Sequence, residues 1–171
     1  DWMLLANKEV AKFIGDSVLK RGGAGLYRVH DLPNVDKLES LNIFVKALGL
    51  ELDPENDGIS GKDLNKLLKS IAGHPSESLI KTAAVRSMAK AKYTTEPKGH
   101  FGLAFDHYTH FTSPIRRYPD MMVHRLLQHY LDGGKSENQK VFEERCLHTS
   151  EREKRASDAE RASIKYKQVE F

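Results

Sequence analysis

The stretch from His107 to Arg125 constrains the fold of this chain more than any other, because Pro114 and Pro119 both stand inside it. Thr112 and Ser113 are residue types that cap helix N-termini, and Pro114 suits a first helical position, where its missing N–H costs nothing. Pro119 then forbids an undisturbed helix, so the segment reads as a tight turn followed by a helix, or as a helix kinked near its start. On helical spacing Arg116, Asp120 and His124 share one face, while Ile115, Tyr118, Met122, Leu126 and Tyr130 form the opposite, buried stripe. Unpaired N–H groups at such a helix start, with the positive end of the helix dipole, favour an anion. Arg116 and Arg117 in the first turn add planar guanidinium groups, which grip a phosphate through two parallel hydrogen bonds. A capped helix with an Arg–Asp pair accounts for the same residues without any ligand.

The rest of the chain alternates helical stripes with short punctuated segments. Trp2, Met3, Leu4, Leu5, Ala6, Val10, Phe13 and Ile14 make an apolar helix, and Lys20 to Gly25 is a basic, glycine-rich connector without a P-loop ending. Leu26 to His30 alternates as a short strand. Asp31 to Asn34 opens a helix with a buried stripe of Leu38, Leu41, Val45 and Leu48, ended by Gly49. Asp53 to Gly58 looks like the start of a calcium loop, but position twelve is Leu64 instead of glutamate, so an acidic turn before a helix from Lys62 to Ile71 is expected. Pro75 and Ser76 begin a further helix with Leu79, Ile80, Ala83, Ala84 and Met88 inward and Lys81, Arg86, Lys90 and Lys92 outward. Such a run is a solvated face or a track for an RNA backbone. Tyr93–Thr95 and Phe101–Phe105 flank a polar tip and read as a hairpin. Capping-box spacing at Ser136/Gln139 and Ser150/Glu153 predicts two more helix starts. The last helix has a thin inner side of Ala156, Ala159 and Ala162, ending in Tyr166 and Val169.

These elements predict an α+β fold, mostly helical with a small antiparallel strand component. A length of 171 residues suits one domain, and a net charge of +3 permits an RNA partner without demanding one. The lone Cys146 excludes an internal disulfide and fits a reducing, cytoplasmic compartment. No apolar run approaches a membrane span. The chain begins at Asp1, inside an apolar helical pattern, which fits a fragment.

Three chemistries can be weighed on the residues alone. His107 and His110, three apart on an extended segment, point to opposite faces and are poorly placed as joint metal ligands. Ser113 sits near His110 and Asp120, but in the setting of a helix cap and not of a nucleophile elbow. Phosphoryl chemistry fits best. Hydrolysis of a phosphodiester needs carboxylates for Mg²⁺, an attacking water and cations for the charge that builds on the phosphate. Arg116 supplies the last component, and no carboxylate cluster supplies the first.

The run His107-Tyr108-Thr109-His110-Phe111-Thr112-Ser113-Pro114-Ile115-Arg116-Arg117-Tyr118-Pro119-Asp120, followed by His124-Arg125, resembles the signature of the ribonuclease II/ribonuclease R family of processive 3′-to-5′ exoribonucleases. Met3 to Asn7 with Val10-Ala11, Tyr27 to Asp31 and Tyr93 to Ala104 add to the resemblance, with a weaker echo at Glu153 to Ala156 and Ala159 to Arg161. It covers most of the chain and implies that residues 1–171 are the C-terminal portion of an RNB-type catalytic domain. The resemblance further implies Mg²⁺-dependent hydrolysis of single-stranded RNA to nucleoside 5′-monophosphates. The Mg²⁺ ligands would lie in an aspartate cluster of the absent N-terminal half, so the rest of the parent polypeptide is an expected partner. Arg116 takes the position of the family's catalytic arginine, with Arg117 as a supporting charge and Thr112 and Ser113 positioning the 3′-terminal phosphates. Asp120 would orient an arginine. Only Asp1 stands where relatives carry paired glutamates, and Glu153 and Glu160 resemble acidic positions near the family's active site. The rival readings are a non-catalytic RNA-binding module and a docking fragment inactive on its own.

Overall fold

The computed structural model describes residues 1–18, 22–50, 61–135 and 137–170. In chain order they form α1 (Trp2–Phe13), a π-helical turn (Ile14–Val18), β1 (Tyr27–Val29), α2 (Val35–Ala47), α3 (Gly61–Ser70), α4 (Glu77–Ser87), β2 (Lys92–Thr94), a 3₁₀ turn (Phe101–Leu103), α5 (Tyr118–Leu131) and α6 (Gln139–Glu170). The fold is therefore α+β, mostly helical, with one two-stranded antiparallel sheet among the described residues. The Asp53–Gly58 turn, Ser136 and Lys20-Arg21 of the basic connector fall outside the described residues. No helix among the described residues is long and apolar enough to cross a membrane.

The chain divides into two compact units. One comprises Asp1–Val29, Ala91–His100 and Phe105–Phe171; the other comprises His30–Lys90 and Phe101–Ala104. The second is helical, and its core is aliphatic: Leu38, Leu41, Val45, Ile80 and Ala84, all expected inward, close on Leu64, Leu67 and Ile71. Asn34 caps α2 by accepting from Asp36 N, and Gly49 follows at φ +76°, the left-handed conformation that ends a helix without a Cβ penalty. Leu79, expected inward, is exposed. Lys81, Arg86 and Lys90 belong to this unit and Lys92 to the other, so the cationic run is not the face of one helix.

The first unit carries the sheet. β1 pairs with β2 in the register Tyr27↔Thr94, Arg28↔Tyr93, Val29↔Lys92. The expected hairpin does not form: Tyr93 joins β1, Phe101–Leu103 is a 3₁₀ turn, and only a single bridge links His100 to Phe105. Pairing with β1 buries Tyr27, Val29 and Tyr93 in one core with Ala11, Ile14, Val123 and Leu126, burial that a local hairpin would not provide.

α6 docks on this sheet through its first half. Phe142 and Cys146 are its buried residues. Beside them the Glu143 carboxylate accepts from Thr95 N at 2.7 Å, Thr95 Oγ1 at 2.6 Å and Thr94 Oγ1 at 3.2 Å. The helix start expected at Ser150 is not one. α6 runs through it, and Ser150 Oγ donates to Cys146 O while accepting from Tyr93 N. The side-chain cap at the start of α6 is Asn138, whose Oδ1 accepts from Lys140 N at 3.0 Å. Nearly every residue from Glu151 to Glu170 is exposed.

Candidate phosphate-binding site

The signature segment lies along the edge of β1 opposite β2. Arg28 N donates to Tyr108 O at 2.9 Å, and Thr109 Oγ1 donates to Leu26 O at 2.7 Å. These bonds fix Tyr108 and Thr109 in nearly full burial. The next three residues are held by two buried side chains. Asn7 of α1 accepts with Oδ1 from Phe111 N at 3.0 Å and from Thr112 N at 3.2 Å, while its Nδ2 donates to Tyr108 OH at 3.1 Å. Asp120 of α5 accepts with Oδ1 from Ser113 N at 2.8 Å and from Arg117 Nη2 at 2.9 Å.

The start of the helix differs from the expected one. The backbone N–H groups of Phe111, Thr112 and Ser113 are all used internally, the last by the buried Asp120 carboxylate. The helix also begins later than expected: Ser113 O accepts from Arg116 N and Arg117 N in a tight turn, and α5 opens at Tyr118 with Pro119 in its first turn. Pro119 lacks an N–H and fixes φ, so it is favoured at a helix start, and the residues before it leave helical phase. Ile115 and Tyr118 are accordingly exposed, whereas Met122 and Leu126 are buried as expected.

The two arginines consequently differ. Arg117 is partly buried and paired with Asp120, so Asp120 orients Arg117 at i, i+3 and not Arg116 at i, i+4. Arg116 is exposed on the turn, and its side chain makes no hydrogen bond or ion pair with a described residue. The Thr112 and Ser113 hydroxyls, half-buried beside it in sequence, are also without a described partner. Asp120 Oδ2 and Arg117 Nε are buried without a described partner, leaving hydrogen-bonding capacity in the ion pair unused.

Around this clasp lies an aromatic and basic wall. Tyr93 OH and His110 Nδ1 share a hydrogen bond of 2.8 Å, the tautomer deciding which group donates. Burial, reinforced by the charges of Arg117 and Arg28, pushes His110 down from 6.5 to about 4, so the ring is neutral at physiological pH. Burial also raises Tyr93 to about 12. Arg28 stacks over the Tyr93 ring at 4.5 Å and pairs with Glu153 of α6 at 2.6 Å. Glu153 is thus tied to the sheet, and Glu160 is exposed farther along the helix.

His124 stacks on Phe111 at 3.9 Å and its Nε2 bonds Phe111 O at 2.8 Å, an architectural role, while Arg125 is exposed. His107 packs beside Gly15 and Tyr27, away from the partners of His110. Among the described residues no group of three or more His, Cys, Asp or Glu side chains is placed to hold a metal ion.

Asn7 and Arg28 are the contributors that periodicity does not reveal. The one available signal for Asn7 is a polar residue on the buried stripe Asn7, Ala11, Ile14.

Residues 1–133 match the RNB domain family. The chain is 40% identical over 175 residues to ribonuclease R 1 of Lactococcus lactis subsp. lactis (strain IL1403), a match covering 99% of this chain and 21% of that protein. Among solved structures, Mycoplasma genitalium RNase R in complex with ribose methylated single-stranded RNA superposes with a TM-score of 0.84 at 30% identity, over 96% of this chain and 26% of that one. Yeast Ssd1, a pseudonuclease, superposes with a TM-score of 0.72 at 26% identity, over 88% and 19%. The chain thus spans about a fifth to a quarter of the length of these relatives.

Proposed function

The chain belongs to the RNB-domain family, and from that premise we propose that it is the C-terminal portion of a 3′-to-5′ exoribonuclease catalytic domain. The parent would hydrolyse single-stranded RNA to nucleoside 5′-monophosphates in the cytoplasm, with this segment supplying the arginine that meets the phosphate. The observation that carries the reading is the contrast between the two arginines. Arg117 is paired with a buried carboxylate, and Arg116 is exposed and unpaired on a turn pinned from both sides.

Attack on a phosphodiester builds negative charge on the phosphoryl oxygens, and a guanidinium held in place neutralises it without reorganising during the reaction. The hydroxyls of Thr112 and Ser113 would orient the terminal phosphates beside it. Arg117 would raise the local potential from behind the turn. The Mg²⁺ of the proposed reaction would be held by carboxylates outside the described residues, in the remainder of the parent polypeptide.

A second reading is an RNA-binding module without catalysis. The likeness to a pseudonuclease favours it. One measurement tests whether this chain carries its own metal site, and a second separates the two readings. Incubating this chain alone with Mg²⁺ and a 5′-labelled single-stranded RNA should leave the RNA intact, and monophosphates released from the 3′ end would mean that it carries its own metal site. In the complete protein, Arg116→Ala should cut turnover far more than it weakens RNA binding, whereas equal losses would reduce Arg116 to a ground-state grip.

A further inference from the structure

We infer that Asn7 is a positioning residue for the phosphate grip: its buried amide sets the direction in which the turn presents Arg116. The inference rests on the reading of Arg116 as the phosphate-contacting group.

Asn7 lies on the inner stripe of α1, between positions where an apolar side chain would serve the core better. Its identity follows from its hydrogen bonds. An amide oxygen has two lone pairs, and both are taken by the consecutive N–H groups of Phe111 and Thr112. Two successive N–H groups aimed at one atom fix the backbone where it bends at Thr112, and the atom that takes both is a neutral oxygen carried by α1. The amide nitrogen, donating to Tyr108 OH, keeps the group from flipping.

Ser113 N is then fixed by Asp120, so three successive backbone directions are set before the turn to Arg116 begins. Removing Asn7 frees the first two N–H groups and leaves the segment held by His124 at Phe111 and by Asp120 at Ser113 N, with no bond left on Thr112 N between them. Arg116 has no described partner of its own, so nothing else in the described structure corrects its aim. A misplacement on the order of 1 Å is enough to weaken an oriented contact severely.

The test is a double-mutant cycle on the 171-residue chain, read by fluorescence anisotropy of a labelled single-stranded RNA across a salt series. Arg116→Ala should weaken binding about fivefold and lower the salt slope by about 0.7, the value of one phosphate contact on a single strand. Asn7→Ala should do nearly the same, and the double variant should bind no more weakly than Arg116→Ala alone. Additive losses, or a full salt slope in Asn7→Ala, overturn the inference while leaving Arg116 in its role. If Arg116→Ala changes neither affinity nor slope, or the unaltered chain shows no salt-dependent affinity, Arg116 makes no phosphate contact in the bound state and the inference fails, while turnover of the complete Arg116→Ala protein still decides its part in catalysis. Should Asn7→Ala lose its cooperative thermal transition, Tyr108→Phe replaces it, keeping the buried ring and removing only the hydroxyl. A loss of about twofold that vanishes on the Arg116→Ala background is then expected, and additivity again overturns the inference.

Discussion

The two compact units of this molecule are held together by different means. In the unit built from α2, α3 and α4, the core is aliphatic, and among the described residues Ser87 is its one buried polar residue. In the unit carrying the signature, Asn7, Thr94, Thr95, Thr109 and Asp120 are buried; Asn7, Thr109 and Asp120 bond main-chain atoms of another segment, and Thr94 and Thr95 bond the Glu143 carboxylate. Apolar packing is non-directional and tolerates exchange of shape for shape. A buried polar bond does not, because each partner left behind keeps its desolvation cost. The first unit therefore fixes atoms in direction, which a phosphate grip needs, and the second only fills space.

The largest expected effect comes from breaking the directional side. Asp120→Ala strands Arg117 and Ser113 N and should cost about 3–5 kcal/mol in urea denaturation, with loss of RNA affinity. Asp120→Asn matches the shape but loses the ion pair, and should still cost about 2 kcal/mol. On the other side, Leu41→Ala should cost about 2–4 kcal/mol through the cavity it leaves, yet Leu41→Met should cost only about 1 kcal/mol, with RNA affinity untouched in both. If the size-matched exchange were the costlier one in the aliphatic unit, the contrast would collapse.

A smaller effect concerns pH. Unfolded, His110 takes up a proton near 6.5, and folded only near 4, so the unfolded state binds more protons between those values. The stability tied to its burial is complete above about pH 6.5 and is lost as pH falls toward 4. His110→Gln should flatten that part of the thermal midpoint-versus-pH curve; an unchanged slope would place the acid sensitivity elsewhere. The smallest effect sharpens the comparison from the functional side. Arg116→Ala should alter unfolding free energy by less than about 0.5 kcal/mol, since its side chain holds no described part of the fold.

How much of this was legible in the sequence follows the same division. The stripe Leu38, Leu41, Val45 and the stop at Gly49 could be read directly, because a helix's inner face repeats at short range. The tight turn before a helix could be read from Pro119, and Arg116 could be singled out through the resemblance its signature carries. The partners of the signature backbone could not. Asn7 lies 104 residues from Phe111, and no local period encodes that distance. The pairing of Asp120 with Arg117 instead of Arg116 depended on where α5 begins, a matter of a few residues. Ser150 and Glu153 matched a capping box by spacing, but both are spent on the sheet, Ser150 on Tyr93 N and Glu153 on Arg28. Local rules found the elements, and long-range polar bonds chose among their alternatives.

At 1.5 Å per residue the 32 residues of α6 reach about 48 Å. Its grip on the sheet ends with Glu153, and beyond that point ion pairs such as Asp158–Arg161 and Lys167–Glu170 join residues of the same helix. Backbone amides near Cys146 can exchange with solvent only when the sheet lets go, whereas those past Glu160 need only a few turns to unwind. Amide hydrogen exchange along this one helix should therefore run from the slowest in the molecule to nearly the fastest. A single continuous helix would record where the folded body stops supporting its own chain.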